Sequence, residues 1–373
     1  MRSFVKYASV ITGGVIVASV FGSGCSTSSE KQVGHSGAQM EKGKFQNTEM
    51  SYQNTLGKLM DISWEFIRAK RSEPQPQVNL PVEPISFQQL QNADSPVLYR
   101  LGHSSVLIKL DGEFFLTDPV FSERSSPVQW AGPKRFHETP LAIEDLPRLK
   151  AVVISHDHYD HLDKETLKQL SAKVEYFVTP LKVGQRLVDW GLDPKRVIEK
   201  DWWESVQLGS VKLIATPAQH FSGRGVFDKD ETLWASWVIQ GEQANLFFSG
   251  DSGYFGGFKE IGERYGPFDI TMVETGAYNE LWSEIHMLPE QSVQAHMDLK
   301  GKAMLPIHNS TFDLALHDWY EPLERVSIAA EQNQVQLLTP VMGEQVSIKA
   351  PAQSVAWWLE LIDPSANQAL VAN

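Results

Sequence analysis

The chain has a single cysteine, Cys25, among 373 residues. That excludes a disulfide framework and any site built from several thiolates. Positive charge is also scarce. There are 33 Lys and Arg against 46 Asp and Glu, a formal net charge of −13. Binding a nucleic acid needs a basic face, so a surface of this sign excludes nucleic acid as a main partner. Repeats of short period are absent as well. What remains is a chain with 42% hydrophobic and 10% aromatic residues, which suits a globular protein with a sizeable core.

The N-terminus reads as an address rather than as fold. Arg2 and Lys6 precede the uncharged run ASVITGGVIVASVFGSG. These are the n-region and h-region of an export signal, with an apolar stretch too short and too glycine-broken for a membrane span. Cys25 follows at once, behind the small residues Ser23 and Gly24. That position resembles a bacterial lipoprotein signal. The expectation is that residues 1–24 are removed, that Cys25 is acylated, and that the protein is exported and anchored to a membrane of the cell envelope. Gly22 departs from the leucine-like residue usual in that signal.

Residues 25–50 are polar and without period, which predicts a flexible tether. Residues 51–94 hold a helix and then a proline-rich segment. Leu56, Met60, Trp64 and Ile67 share one face of that helix, which is expected to dock on the main domain. Contact with lipid is the alternative, since Trp64 and the basic Lys70–Arg71 suit an interface. Residues 95–350 form the main domain, and 351–373 a tail. The main domain has many short apolar strands: VLYRL, SVLIKL and EFFLTD, then AVVIS, YFVT, VKLIAT, SWVIQ, NLFFSG, ITMVE and AMLPIH. Asp111–Gly112 makes a hairpin turn. Helices are predicted at 164–170, 182–190, 257–265, 290–299 and 313–331. This order predicts an α+β fold, two sheets in a sandwich flanked by helices.

Several of these strands end at residues able to bind metal. AVVIS runs into His156, Asp157, His158, Tyr159, Asp160 and His161. VKLIATPAQ ends at His220, NLFFSG at Asp251, AMLPI at His308, and ITMVE at Glu274, which offers no obvious role. Neutral imidazole nitrogen and carboxylate oxygen suit borderline cations such as Zn²⁺. His156, His158, Asp160, His161, His220, Asp251 and His308 make seven donors, enough for two cations if one carboxylate bridges. Two such cations activate a water against an ester or phosphate. By spacing, Asp157 competes with Asp160, and His103 and His286 stay open. His137, His296 and His317 are read as structural, and His35 lies in the tether.

The stretch SHDHYDHLD carries the H-x-H-x-D-H signature of the metallo-β-lactamase superfamily. LGHSSVLI, TDPVFSERSSPVQWAGPKRF, DWWE, TPAQHFSGR, LWASWVI, FFSGDSGY, GPFDI, GAYNELW and IHNSTFDLA extend the likeness. Together these stretches resemble N-acyl-phosphatidylethanolamine-hydrolysing phospholipase D and its bacterial relatives. The resemblance implies an αββα sandwich and two Zn²⁺ ions, with iron or manganese as other metals. It makes His156, His158 and His220 ligands of one ion, Asp160, His161 and His308 ligands of the other, and Asp251 the bridge. It implies a membrane phospholipid substrate, cleaved at the phosphodiester on the head-group side to give phosphatidic acid and an N-acylethanolamine. It sets Gln129, Trp130, Tyr159 and His286 beside the metals, with Tyr159 and His286 as catalytic aids. Trp130, Leu288 and Asn309–Ser310 depart from the family pattern. Apolar residues not needed by the core, and so in line for an acyl-chain channel, are Met60, Trp64, Trp130, Phe221 and Trp282.

Two other functions use the same residues. A lactone or ester hydrolase would turn the same metals on a carbonyl, and ligand type alone also allows di-iron redox chemistry. A non-catalytic envelope lipoprotein would need no full ligand set.

Overall fold

The computed structural model describes residues 37–50 and 56–362. Cys25 and the export segment lie outside the described residues. The first elements are a hairpin, β1 (Gln39–Glu41) and β2 (Lys44–Gln46), and two helices, α1 (Leu56–Arg68) and α2 (Phe87–Asn92). Six strands follow: β3 (Val97–Gly102), β4 (Ser105–Leu110), β5 (Glu113–Thr117), β6 (Leu149–Val153), β7 (Val174–Pro180) and β8 (Val197–Lys200). Helix α3 (Lys164–Leu170) joins β6 to β7, and α4 (Val183–Asp189) joins β7 to β8.

The second half repeats this plan. It holds β9 (Ser205–Leu208), β10 (Val211–Thr216), β11 (Ser236–Gln240), β12 (Asn245–Phe248), β13 (Phe268–Glu274), β14 (Gly301–Ile307) and β15 (Gln336–Leu337). Helices α5 (Gly257–Tyr265), α6 (Pro289–Asp298) and α7 (Glu321–Gln332) lie between them. Strand β16 (Gln345–Ser347) returns to the first sheet, and α8 (Leu359–Ile362) is the last described helix. The sheets run β16-β3-β4-β5-β6-β7-β8 and β15-β14-β13-β12-β11-β10-β9. In each, hairpin-linked antiparallel strands give way to parallel strands joined through helices.

Alternation of side chains decides the layering. Phe115, Ala151 and Val153 of the first sheet meet Leu213, Ala215, Leu246 and Phe248 of the second in the central core. Their neighbours in sequence point outward. Leu116 and Val152 pack under α3 and α4 with Leu167 and Leu187. Ile214 and Phe247 pack under α5, α6 and α7 with Phe258, Val293 and Val326. Strands buried on both faces need continuous apolar runs, which is why AVVI and VKLIA read as they do. The result is the αββα sandwich. Asp111 (φ +51°) and Gly112 (φ +82°) form the predicted turn between β4 and β5.

Three expectations need correction. The polar stretch 25–50 is not a tether from residue 37 onward. Ala38 and Phe45 enter the central core, and Asp201 Oδ1 and the Asp230 carbonyl accept their backbone N–H groups. Two buried apolar side chains in a polar stretch are too few to show as a pattern, and both anchors lie far away in sequence. Helix α1 forms, but turns its expected docking face outward. Met60, Trp64 and Ile67 are 72%, 57% and 70% exposed. It packs instead through Ile62, through Phe66 stacked on Trp282 at 6.3 Å, and through the Lys58–Glu284 ion pair. The predicted helix 313–331 starts only at Glu321, with Pro322 in its first turn. Among the described residues no helix is long and apolar enough to cross a membrane.

The hairpin anchor has a measurable consequence. Phe45→Ala removes a buried ring and should cost about 3 kcal/mol of stability. Chemical denaturation checks this; an unchanged midpoint would mean that the hairpin is an ornament.

Candidate metal centre

The donors leave from the C-terminal ends of β6, β10, β12 and β14, which lie on one edge of the sandwich. His156, His158, Asp160 and His161 follow β6, His220 follows β10, Asp251 follows β12, and His308 follows β14. Backbone geometry enforces the convergence. Gly250, just before Asp251, has φ +56°, and a Cβ there would lie 2.4 Å from Ser155 Cβ. His308 itself is left-handed at φ +65°, and a Cβ on Gly276 would meet its carbonyl oxygen at 2.0 Å.

Two clusters result. In one, His158 Nδ1 lies 2.9 Å from His156 Nε2 and 3.3 Å from His220 Nε2. In the other, Asp160 Oδ2 lies 3.2 Å from His308 Nε2 and 3.4 Å from His161 Nε2. Asp251 stands between them. Its Oδ2 is 3.0 Å from His308 Nε2 and 3.1 Å from His161 Nε2, and 3.8 Å from Nε2 of both His156 and His220. All but His158 and Asp160, which are partly exposed, are buried.

Electrostatics and hydrogen bonding fit a pair of cations. Burial holds His156, His158 and His220 below the usual imidazole range, in the neutral form with a lone pair to give. Burial opposes ionisation of Asp160 and Asp251, but His161 and His308 outweigh it and keep both carboxyls well below their usual range. The same pairing works in reverse. Against burial, Asp251 and Asp160 hold His161 well above its usual value and His308 at about 10. Both carboxylates thus favour positive charge at this point, where a cation would sit. Nε2 of His161 and Oδ1 of Asp251 are buried without a hydrogen-bond partner, a costly state that a metal would relieve. The clusters are thus compatible with a dinuclear metal site.

Around them lies a set of orienting bonds, several of which sequence reasoning missed. Asp118, at the end of EFFLTD, accepts from His161 Nδ1 at 2.7 Å and from the Ser155 backbone N–H at 2.7 Å. The Ile285 carbonyl lies 2.9 Å from His220 Nδ1, and Asn47 bonds the His220 backbone at both its N–H and its C=O. His103 Nε2 lies 3.0 Å from Asp160 Oδ2 and its ring packs 4.0 Å from His308. Such contacts fix the tautomer and direction of a ligating ring. Asp118 closes an apolar strand just as Asp251 does, a signal that was available in the sequence.

Asp157 takes no part. It accepts from Gly223 N–H and Thr232 Oγ1 and pairs with Arg186 at 2.8 Å, so the structure favours Asp160 of the two candidates. His286 sits on the rim, its ring 5.1 Å from His220 and 5.5 Å from His308. Glu274 lies directly behind it. Tyr159 is near, but its hydroxyl donates to the Arg224 carbonyl and its ring lies 3.8 Å under that guanidinium. Gln129 does not face the cluster. Its amide is occupied by the Arg124 backbone, as acceptor at 3.0 Å and donor at 3.1 Å. Trp130 is 83% exposed. Phe221 packs against His158 and His220, and Trp282 is buried behind α1. His137 and His296 bond Thr311 and Thr271, as expected of structural residues. His317, predicted on a helix, lies in a loop and accepts from Ala277 N–H.

Comparison with known proteins agrees with this geometry. Residues 114–309 match the beta-lactamase superfamily domain. An uncharacterised protein of Mycobacterium tuberculosis is 39% identical over 90% of this chain and 91% of its own length. The N-acyl-phosphatidylethanolamine-hydrolyzing phospholipase D 1 of Caenorhabditis elegans is 34% identical over 66% of this chain and 73% of its own. Among solved structures, the isothiocyanate hydrolase from Delia radicum gut bacteria shares the fold, with a TM-score of 0.54 at 18% identity. It covers 67% of this chain and 98% of that one. Taken with the seven converging donors, these matches show that the chain belongs to the metallo-β-lactamase superfamily, among metal-dependent hydrolases related to the N-acyl-phosphatidylethanolamine-hydrolysing phospholipases D.

Proposed function

We propose that the protein is a binuclear zinc phosphodiesterase that hydrolyses an N-acylated or related membrane phospholipid in the manner of a phospholipase D. The observation that carries the substrate assignment is the 34% identity to an enzyme named for that reaction. His156, His158 and His220 would hold one ion, Asp160, His161 and His308 the other, and Asp251 both. Bound there, the ions supply Lewis acidity toward the phosphoryl oxygens and an activated water. Asp118 and His103 orient His161 and Asp160. His286, on the rim, meets the substrate; Tyr159 braces the Arg224 loop through its hydroxyl.

The surroundings suit a substrate held in a bilayer. Three segments expose apolar side chains. The loop after His220 carries Val226 and Phe227, 64% and 89% exposed. The loop after β5 carries Trp130. Helix α1, packed beside residues 281–285, carries Met60, Trp64 and Ile67, with the Arg68 guanidinium 5.8 Å from the Trp64 ring. Aromatic and basic residues together favour the headgroup boundary. An acyl anchor on Cys25 would keep this face at the membrane of the cell envelope, where the acidic surface gives no electrostatic pull to anionic lipid.

Elemental analysis should find two metal equivalents per chain, and Asp251→Asn should lose most of the metal together with most of the hydrolysis of N-acyl-phosphatidylethanolamine. Full metal and full rate in that variant would refute the bridging role. Metal loading should also depend on pH. The protons on His161 and His308 must leave before zinc enters, so loading weakens as pH falls and releases about two protons at pH 7. Titration calorimetry in buffers of different ionisation enthalpy measures that number. On the lipid side, replacing Trp130 and Phe227 together by Ala should slow a long-chain phospholipid far more than a small soluble phosphodiester. Cys25→Ser should move the protein from the membrane to the soluble fraction. Equal loss on both substrates, or a variant still bound to membranes, would remove the corresponding half of the lipid reading.

A further inference from the structure

Glu274 is a buried carboxyl outside the seven proposed donors, although one of its oxygens lies near donor atoms of Asp251, His286 and His308. It is the last residue of β13, and both its backbone groups are tied: its N–H donates to Ser249 Oγ at 2.9 Å and its carbonyl accepts from Ser292 Oγ at 2.6 Å. Oε2 accepts from the Ser252 N–H at 2.6 Å, next to Asp251. Oε1 lies against Nδ1 of His286 in a short contact. Oxygen and nitrogen lone pairs repel, so this contact is attractive only with a proton between them.

We infer that Glu274 is the positioning residue of His286: the proton shared between Oε1 and Nδ1 fixes the imidazole on the rim, leaving Nε2 as the ring nitrogen available to substrate. The inference rests on the proposed hydrolysis at this site. The environment makes the clamp stiff. Glu274 is fully buried, held at four points, and cannot swing. His286 by contrast keeps 14% of its side chain exposed, and among the described residues no hydrogen bond ties its Nε2. One donor atom from each of Asp251, Glu274, His286 and His308 lies within 4.8 Å of the others. The pair therefore adjoins the donor cluster, and a rotamer change of His286 would break its contact with Glu274.

Two measurements on the zinc-loaded protein test this. Proton NMR should show one strongly deshielded resonance from the shared proton, lost in both Glu274→Gln and His286→Asn. Kinetically, Glu274→Gln should lower kcat by about 10- to 100-fold, with KM, metal content and melting temperature nearly unchanged. In a His286→Ala background the same change should cost nothing further. The inference is overturned if the resonance is missing from the parent protein, if Glu274→Gln keeps its kcat, if it sheds metal, or if its cost persists without His286. Should the parent protein bind zinc yet cleave no phospholipid, the proposed function fails, while the resonance and its loss still decide the pairing.

Discussion

One buried carboxylate organises this molecule. Asp251 lies within 4 Å of four imidazole nitrogens drawn from three chain segments. Nothing but positive charge makes such crowding stable. In its absence, burial and mutual repulsion would drive the rings apart or strip their protons. The charge pattern of the whole centre follows from this. Burial pushes the rings of His156 and His220 toward the neutral form, Asp251 and Asp160 pull His161 and His308 toward the protonated one, and those two rings favour the ionised Asp251 against its burial.

The sandwich exists around that constraint. Two seven-stranded sheets put the ends of their parallel strands along one edge, so residues almost 150 positions apart, Asp160 and His308, stand 3.2 Å from each other. The core between the sheets is apolar, whereas the edge is polar, and some of its buried donor atoms, His161 Nε2 and Asp251 Oδ1 among them, have no hydrogen-bond partner. Left-handed backbone at His103, Asp118 and His308 recurs along this edge. Conformations of that kind cost energy and persist where the surroundings over-determine them. Here the surroundings are the two sheets, whose packing fixes both ends of each short loop.

Outside the donors, the molecule divides its tasks by depth. Asp118 lies beneath against the His161 imidazole, Asn47 holds the His220 backbone, and Glu274 backs the His286 ring. Apolar side chains on α1 and two loops lie above and face outward.

The sequence by itself showed the candidate donors and the layers. H-x-H-x-D-H after an apolar run is legible because adjacent ligands on one loop share one stretch of chain, and strand alternation is legible because its period is local. Tertiary structure decided what depends on neighbours distant in the chain. Asp157 and Asp160 are equal by spacing; what separates them is that Asp157 turns to Arg186, Thr232 and Gly223 while Asp160 turns to His161 and His308. Gln129 sits in a matching motif, yet its amide closes on its own loop. The face of α1 was misread because a helical stripe shows which residues are apolar, not which of two faces finds a partner; Ile62, Phe66 and Lys58 found Trp282 and Glu284. Glu274 and His286 meet across a turn of twelve residues, and Phe45 meets a core assembled from strands far downstream. Such pairings are set by the packing of the sheets, and no local pattern in the chain encodes them.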